Sequence, residues 1–145
     1  MELIKVTTEE LLKEALAIRF EVFVREQQVP EELEYDDFDV SPAACNHFVV
    51  QEQGRIIAAG RWREYEPGVV KFQRIVVAKS YRGRGIGKVL LLGMEQDAKQ
   101  SGYPVGVLEA QCTAEAFYHK LGYVTESAEP FLDANILHVK MRKQL

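Results

Sequence analysis

The sequence predicts an α/β fold in which helices pack on a mixed β-sheet. Three apolar, β-branched segments follow one another between residues 46 and 79, as in consecutive strands. A segment with helical spacing comes next, and then a short strand, a short helix and a final strand. The resulting order, β-α-(α)-β-β-β-α-β-α-β, is typical of an α/β domain with a mixed sheet.

The N-terminal region is predicted to contain a strand, a helix and an acidic loop. Residues 2–6 show the alternation of a short strand. Thr7 or Thr8 can cap the following helix, because a threonine hydroxyl accepts a hydrogen bond from the free N–H groups at a helix start. The apolar face of this helix comprises Leu11, Leu12, Ala15, Ile18, Phe20 and Val22. Pro30 ends the region, and the acidic loop follows.

Glycines separate the central strands. Residues 46–66 are predicted to form two strands joined by a tight turn at Gln53-Gly54. Gly68 then turns the chain into a third strand, which extends to residue 79.

The C-terminal half is predicted to alternate helices and strands. Ile86, Leu90, Met94 and Ala98 recur every four residues. This spacing predicts a helix that ends near Gly102. Residues 104–110 are predicted to form a buried strand, residues 113–123 contain a short helix with Gly122 after its end, and residues 135–143 form the last strand.

The composition predicts one globular domain over residues 1–145. The chain is 47% hydrophobic and 28% charged, and no run of 18 apolar residues could span a membrane. The N-terminus mixes acids among its apolar residues, so no signal peptide is expected. Cys45 and Cys112 lie outside any CxxC motif, and we expect reduced thiols in a cytoplasmic protein. Three scattered histidines provide no metal-binding pattern.

Charge is distributed unevenly along the chain. The net charge of −4 argues against nucleic acid as the main partner. Seven acids and no bases lie between Glu26 and Asp39, whereas six bases and no acids lie between Lys71 and Lys88. This pattern predicts one negative face and one positive site, although two solvated loops would show the same pattern.

The segment YRGRGIGKVL, residues 81–90, combines glycines with basic residues directly before a helix. It is not a P-loop, because Arg82 and Val89 occupy the positions of a required glycine and a required Ser or Thr. A dinucleotide fingerprint also fails, because its third glycine would fall on Lys88 or Leu90.

The pattern that fits is R-x-x-G-x-G, formed by Arg82, Gly85 and Gly87. The glycines let several backbone N–H groups face one point, and the first N–H groups of the next helix have no internal partner. A pyrophosphate satisfies these donors, and Arg82, Arg84 and Lys88 add positive charge around it. A basic turn that contacts nothing is the alternative.

The segment RIVVAKSYRGRGIGKVLL, followed by LEAQCTAEAFYHKLGYV, resembles the acetyl-CoA-binding half of the GNAT N-acetyltransferase superfamily. The likeness is specific from about Lys71 to Val124, and the flanking segments IRFEVFVREQQVP and FLDANILHVKM resemble a small bacterial branch whose substrates are mostly unassigned. The resemblance implies a mixed, mostly antiparallel sheet of about six to seven strands with a splayed central parallel pair and about four flanking helices. It also implies transfer of an acetyl group from acetyl-CoA to a primary amine in a ternary complex, without a metal. Dimers are common in this family, so a homodimer is one expected assembly.

The resemblance also assigns residues to the coenzyme. The backbone of Ile75, Val76 and Val77 would contact the pantetheine arm, and the Ile75 N–H would stabilise the developing oxyanion. As ordinary strand residues, the three would equally belong to the core. The pyrophosphate would be held by the segment Arg82, Gly83, Arg84, Gly85, Ile86, Gly87 and Lys88.

Tyr118 matches the family's general acid, which protonates the departing thiolate. By residue type alone, it could also be a core tyrosine. The general base is open, because Lys71 and Gln73 occupy the strand positions where family members often carry Glu or His. An ammonium with a pKa near 10.4 holds only about 0.04% free amine at pH 7, which corresponds to about 4.6 kcal/mol. Substitute bases are Glu109, Glu26 and His138, and each could instead be structural.

Other residues near the predicted site have two interpretations each. Arg74 either positions an acidic substrate group or pairs with an acid such as Asp36 or Asp37. Cys112 either carries an acyl group or is a small packed thiol. Trp62 and Tyr65 either form a wall of the acceptor pocket or belong to the core. By resemblance, the acidic segment Glu31–Asp39 should cover the acceptor side, where its charge would attract a cationic amine.

Two other functions compete with acetyl transfer. A non-catalytic coenzyme-binding module is favoured by Gln73 and disfavoured by Tyr118. A nucleic-acid-binding module would use the basic segment, but the net charge of −4 disfavours it.

Overall fold

A computed structural model describes residues 1–145 as one mixed sheet with helices on both faces. The strands are β1 (Glu2–Lys5), β2 (Asn46–Glu52), β3 (Arg55–Glu66), β4 (Val69–Val77), β5 (Val105–Gln111), β6 (Val124–Thr125), β7 (Phe131–Asp133) and β8 (Ile136–Gln144). The helices are α1 (Glu9–Arg19), α2 (Glu31–Glu34), α3 (Ile86–Gln100) and α4 (Glu115–Lys120), and a π-helix (Phe20–Glu26) continues α1. None of the helices is long and apolar enough to cross a membrane.

The predicted fold class is confirmed. The sheet order is β1-β2-β3-β4-β5-β8-β6, with β7 paired to β8, and only β4 and β5 are parallel. The sheet has eight strands, more than the six to seven expected. The additional strands are short: β6 has two residues and β7 has three. The expected acidic loop also contains α2.

The predicted start and turn signals act as expected. The Thr8 hydroxyl accepts a hydrogen bond from the Leu11 N–H at 3.2 Å, which caps α1. Gln53 and Gly54 both have positive φ, at 50° and 76°, as a tight hairpin between β2 and β3 requires. Gly102 and Gly122 have φ of 97° and 98° and follow α3 and α4.

The apolar core lies in two clusters on opposite faces of the sheet. α1 packs on one face against a cluster that includes Val49, Ala59 and Val76. α3 packs on the other face against a larger cluster that includes Val50 and Phe72. The neighbours Val49 and Val50 belong to different clusters because successive strand side chains point to opposite faces.

β4 bends away from β5 halfway along its length. The two strands pair only from Val69 to Phe72 on β4. On the other side of β4, its register with β3 shifts between the pairs Arg61–Gln73 and Ala59–Val76, so two residues oppose one. Arg74 lies in this bulge with φ of +56°. A bulge bends its strand. Residues 73–77 of β4 therefore diverge from β5 and form no strand pairing with it.

A buried group of charges fixes the segment that covers the bulge. Asp39 is 1% exposed and accepts hydrogen bonds from Arg19 Nη1 and Arg61 Nη1, both at 2.7 Å. Arg19 Nε also donates to Glu34 at 2.8 Å, and Arg61 Nη2 to Asp36 at 2.7 Å. Because these acids lie in and after α2, the two arginines hold that segment against α1 and β3.

We expect Asp39→Asn to lower the free energy of unfolding by about 3–5 kcal/mol at pH 7, because it leaves two buried guanidiniums without their shared anion. Burial alone would raise the pKa of Asp39, but Arg19 and Arg61 outweigh it and hold the pKa well below the ordinary value of 3.8. The carboxylate therefore stabilises the fold above about pH 4, and this contribution is lost as the pH falls below that value.

Urea unfolding at pH 7 and at pH 3 measures this difference. Asp37→Asn is the matched control, because Asp37 is exposed and no ion pair involves it. Equal midpoints for the two variants at pH 7 would show that Asp39 does not fix the segment.

Candidate active site

A cavity of about 420 Å³ opens where β4 and β5 diverge. Its walls come from the second half of β4, the end of β5, the π-helix, α4 and the β7–β8 hairpin. Of the residues predicted for the site, those that line the cavity are Ile75, Val76, Val77, Arg82, Glu109, Tyr118 and the candidate base His138. The segment 83–88 continues from Arg82 to the N-terminus of α3 and does not line this cavity.

The second half of β4 faces the cavity with its backbone. Residues 73–77 have no partner on the β5 side, so their peptide groups on that side can pair with a ligand. The Val76 side chain is 3% exposed and packs in the α1 cluster, whereas Ile75 and Val77 pack against the α3 cluster. The core interpretation of these side chains is therefore right, and it leaves the backbone free for a second role.

The segment 82–88, called the glycine loop below, suits an anion. Gly83 and Gly85 both have φ of +78°, a conformation that side chains disfavour. Gly85 is the N-cap residue of α3, and no side chain caps the helix. A Cβ at Gly87 would meet the Phe117 ring at 3.4 Å, which is an ordinary van der Waals contact, so packing does not require glycine there. The first N–H groups of α3 therefore remain available to an anionic ligand.

Acids already neutralise most basic side chains of the glycine loop. Arg82 binds Glu26 through two hydrogen bonds of 2.6 and 2.8 Å, and its Nε donates to the Val77 carbonyl at 2.9 Å. Arg84 contacts Glu52 at 3.2 Å. Lys88 is the only base of the glycine loop without an acidic partner. The positive charge predicted around the site is therefore offset by acids at the two arginines and remains uncompensated at Lys88.

Tyr118 presents a protonated hydroxyl to the cavity. The side chain is 9% exposed, and the ring edges of Phe117 and Tyr123 hold it at centroid distances of 5.0 and 5.9 Å. Tyr123 is itself fixed by a 2.7 Å hydrogen bond to Glu95. Burial raises the pKa of Tyr118 to about 12. The hydroxyl therefore stays protonated at neutral pH and can donate a hydrogen bond.

The candidate bases differ in their partners. Lys71 Nζ lies 3.1 Å from Glu109 Oε1, and both residues line the cavity. The hydrogen bonds from Arg82 lower the pKa of Glu26, which makes it a weaker base. His138 is 8% exposed, lines the cavity, and its Nδ1 lies 2.7 Å from the Ile136 carbonyl oxygen.

The structure distinguishes between the alternative roles that the sequence left open for several residues near the site. Arg74 pairs with Asp36 at 3.4 Å and donates to the Glu34 carbonyl, so the ion-pair interpretation is confirmed. Trp62 is 4% exposed, which confirms its core interpretation, whereas Tyr65 is 39% exposed, so its core interpretation is wrong. Neither residue lines this cavity. Cys112 is a free thiol outside the cavity lining.

The acidic segment is less negative than its sequence indicates. Glu34, Asp36 and Asp39 are each paired with arginine, and Arg19, Arg61 and Arg74 supply three positive charges to the same cluster. Glu31, Glu32 and Asp37 remain exposed and outside any ion pair, so the attraction of a cationic amine by this segment stays a prediction that rests on these three acids. The Arg74–Asp36 pair was anticipated from the sequence, but the arginines that bind Glu34 and Asp39 lie on distant elements that no local pattern connects to them.

Sequence reasoning missed two parts of the cavity. Gln27, after the π-helix, and Gln111, at the end of β5, form an amide pair with Gln111 Nε2 2.8 Å from Gln27 Oε1. The β7–β8 hairpin contributes Asp133, which sequence reasoning did not single out, beside His138, which was one of the predicted substitute bases. Ala134 and Asn135 both have positive φ in the turn of this hairpin. Asn135 is a residue type that tolerates this conformation, but alanine does not favour it, so the turn was not evident from the sequence.

Comparison with known proteins identifies the family. The sequence profile of the acetyltransferase (GNAT) domain matches residues 4–145. The uncharacterised N-acetyltransferase YjcF of Bacillus subtilis is 40% identical over 143 residues, which cover 99% of each chain. This chain belongs to the GNAT acetyltransferase family and is an acyltransferase.

Solved structures agree with this assignment. The crystal structure of a Lactobacillus plantarum protein described as an N-acetyltransferase has a TM-score of 0.88 and 31% identity, with 99% of this chain and 97% of that chain covered. An acyl-CoA N-acyltransferase from Pseudomonas aeruginosa has a TM-score of 0.85 and 27% identity, with 99% of each chain covered.

We expect Tyr118 to ionise only near pH 12, because its burial disfavours the phenolate. Ultraviolet titration of the folded protein measures this as the phenolate absorbance that Tyr118→Phe removes. The loss should be absent at pH 10 and develop only at higher pH. Tyr35→Phe, which removes an exposed tyrosine, is the control. A loss from Tyr118→Phe that is complete by pH 10 would contradict the burial of the hydroxyl.

Proposed function

We propose that residues 1–145 act as one N-acetyltransferase domain, which transfers the acetyl group of acetyl-CoA to a primary amine in a ternary complex. The observation that carries this proposal is the cavity between β4 and β5, which has unpaired backbone on one wall and the protonated hydroxyl of Tyr118 on another. The acceptor is an amine of a small molecule or a protein.

The coenzyme would extend along the divergent strands. Its pantetheine arm carries amide groups, which can pair with the peptide groups of Ile75, Val76 and Val77. Its pyrophosphate would accept hydrogen bonds from the backbone of the glycine loop and the start of α3. Lys88 would add an unneutralised charge there, whereas Arg82 would serve mainly to fix the loop through Glu26 and the Val77 carbonyl.

The reaction needs two kinds of stabilisation. As the amine nitrogen attacks the thioester carbon, a C–N bond forms and negative charge develops on the carbonyl oxygen, where the Ile75 N–H would donate. The C–S bond then breaks, and the sulfur leaves as a thiolate that Tyr118 would stabilise.

The pKa of Tyr118 indicates how it would act. A thiol has an ordinary pKa of about 8.5, whereas burial raises the pKa of Tyr118 to about 12. Full proton transfer from phenol to thiolate would cost about 5 kcal/mol across this gap. We therefore propose that Tyr118 acts first as a hydrogen-bond donor to the developing thiolate. The thiolate takes its proton from solvent as it leaves the cavity, and Tyr118 keeps its own.

A non-catalytic coenzyme-binding module is the second candidate function. Gln73 favours it, because this residue has no carboxylate and its amide oxygen is 3.3 Å from Arg61 Nε. The two functions predict the same coenzyme binding and differ in turnover.

Release of the coenzyme A thiol from acetyl-CoA, measured with a panel of polyamines, amino sugars, amino acids and lysine peptides, tests the proposal. We expect release with at least one class of amine. Tyr118→Phe keeps the ring packing but removes the donor, so kcat should fall by about 10²-fold or more. Tyr35→Phe should leave kcat unchanged. Binding of acetyl-CoA without release by any amine would favour the non-catalytic module instead.

Gly85→Ala should weaken acetyl-CoA binding at least about tenfold, because a side chain is strained at φ of +78° and the N–H groups of the loop would shift. Gly54→Ala is a close control, since Gly54 has φ of +76° and equally open surroundings but lies in the β2–β3 turn. Calorimetric titration measures both dissociation constants. An unchanged constant for Gly85→Ala would place the pyrophosphate elsewhere.

A further inference from the structure

We propose that the β7–β8 hairpin forms the acceptor subsite, in which Asp133 binds the ammonium group of the acceptor and His138 Nε2 removes its proton. The inference rests on the proposed acetyl transfer and extends it to a base and a cation site. It also favours acceptors that arrive as primary ammonium ions.

His138 presents a free basic nitrogen to the cavity. A carbonyl oxygen can only accept, so the 2.7 Å contact with Ile136 assigns the proton of the neutral ring to Nδ1. Nε2 then carries the lone pair, and no protein group donates to it. The ring is 8% exposed and stacks on Phe131 at a centroid distance of 6.1 Å, which fixes its plane.

The other candidate bases are occupied. Glu109 is paired with Lys71, and Glu26 is held by two hydrogen bonds from Arg82. A carboxylate must break such an ion pair before it can accept a proton. His138 needs no such change, because the Ile136 carbonyl contacts only its Nδ1 and leaves Nε2 free.

Asp133 is the only charged side chain of the cavity lining that forms no ion pair. Lys71 and Glu109 neutralise each other, Arg82 is paired with Glu26, and Glu34 and Arg74 belong to the buried charge cluster. Asp133 is exposed to solvent as well as part of the cavity lining, so a cation that enters from solvent meets one uncompensated carboxylate there. Because Asp133 pairs with Ile136 across the hairpin, His138 is its diagonal neighbour on the same face, about 7–8 Å away.

The proton balance follows from this arrangement. The ammonium gives one proton to His138 Nε2, and the neutral amine attacks the thioester carbon. The new N–C bond forms and the C–S bond breaks. The nitrogen loses its second proton to solvent, and the thiolate, stabilised by the Tyr118 hydroxyl, takes one proton from solvent. Asp133 faces the ammonium before the transfer and the imidazolium after it, so its charge favours neither side strongly. The product amide and the thiol leave, and the imidazolium releases its proton to water.

The pH dependence of this step depends on all charges near His138. The titratable groups on the elements that surround it are Glu34, Lys71, Arg74, Arg82, Glu109, Tyr118, Asp133 and Lys140. Lys140, opposite Glu109 on β8, contacts the Tyr65 ring. These groups are the same in the wild type and in His138→Gln, so a pH-dependent difference between the two proteins isolates the contribution of His138.

The kinetic test uses His138→Gln, with His119→Gln as the matched histidine control outside the cavity. For the best amine of the panel, His138→Gln should lower kcat/KM by about 10²-fold at pH 7, and the loss should shrink as rising pH supplies free amine. In His138→Ala, added imidazole should restore part of the activity. A loss that is equal at every pH, without rescue by imidazole, would show a structural role and overturn the proposal.

The cation site has its own test. Asp133→Asn should raise KM for the same amine several-fold with a smaller change in kcat. Glu129→Gln, which neutralises an exposed acid outside the cavity, should change neither. Equal KM values for Asp133→Asn and the wild type would remove Asp133 from the subsite.

A measurement without turnover separates this inference from the proposed function. Nitrogen-15 NMR of the wild type, assigned with His138→Gln, should show the Nδ1–H tautomer. The Nε2 resonance should shift when propylammonium chloride is added, but not with propanol, and the shift should be lost in Asp133→Asn. An Nε2–H tautomer, or no shift with propylammonium, would overturn the subsite even if acetyl transfer is established. If the shift is present but no amine is acetylated, the acetyl transfer fails and the amine site stands.

Discussion

The carboxylate of Asp39, held between the guanidiniums of Arg19 and Arg61, is the constraint on which the site depends. Buried ion pairs contribute little net stability, because desolvation of the charges offsets their attraction. Their effect here is geometric. The pairs fix the segment after the π-helix, and the carbonyls of that segment bind Arg74 where its backbone is left-handed. The resulting bulge bends β4 from β5, and the cavity follows from the bend.

Part of the site could be predicted from the sequence because it depends on residue types at fixed spacing, whereas another part depends on backbone groups that residue types do not reveal. The glycine loop and Tyr118 belong to contiguous motifs, and the glycines at 83 and 85 are needed for local backbone reasons that the sequence records directly. The core side chains of Ile75 and Val77 conceal the exposed peptide groups beside them, so only the family resemblance pointed to these residues. In the structure, the second half of β4 has no strand partner on the β5 side, so the geometry also shows that these peptide groups are exposed.

The parts that sequence reasoning missed depend on which distant residue meets which. Glu34, Asp36 and Asp39 form an acidic run in the sequence, but folding brings three arginines from α1, β3 and β4 to it. Likewise, Glu26 and Glu52 neutralise arginines more than thirty residues away. Charge counts along a chain describe a surface only when the charges remain on it. The hairpin with Asp133 was missed for a local reason, since Ala134 takes a backbone conformation that alanine seldom adopts.

The pairing of Arg82 with Glu26 and of Arg84 with Glu52 has a consequence for the encounter with an anionic ligand. A loop with three free cations would draw a polyphosphate in from beyond a Debye length, and dissolved salt would slow that approach markedly. Because acids compensate both arginines, the electrostatic potential of the loop is weak at long range. The ligand is therefore recognised only when it contacts the backbone amide groups. The association rate of coenzyme should therefore vary little with ionic strength, and selectivity should come from the shape of the phosphate group instead of its total charge.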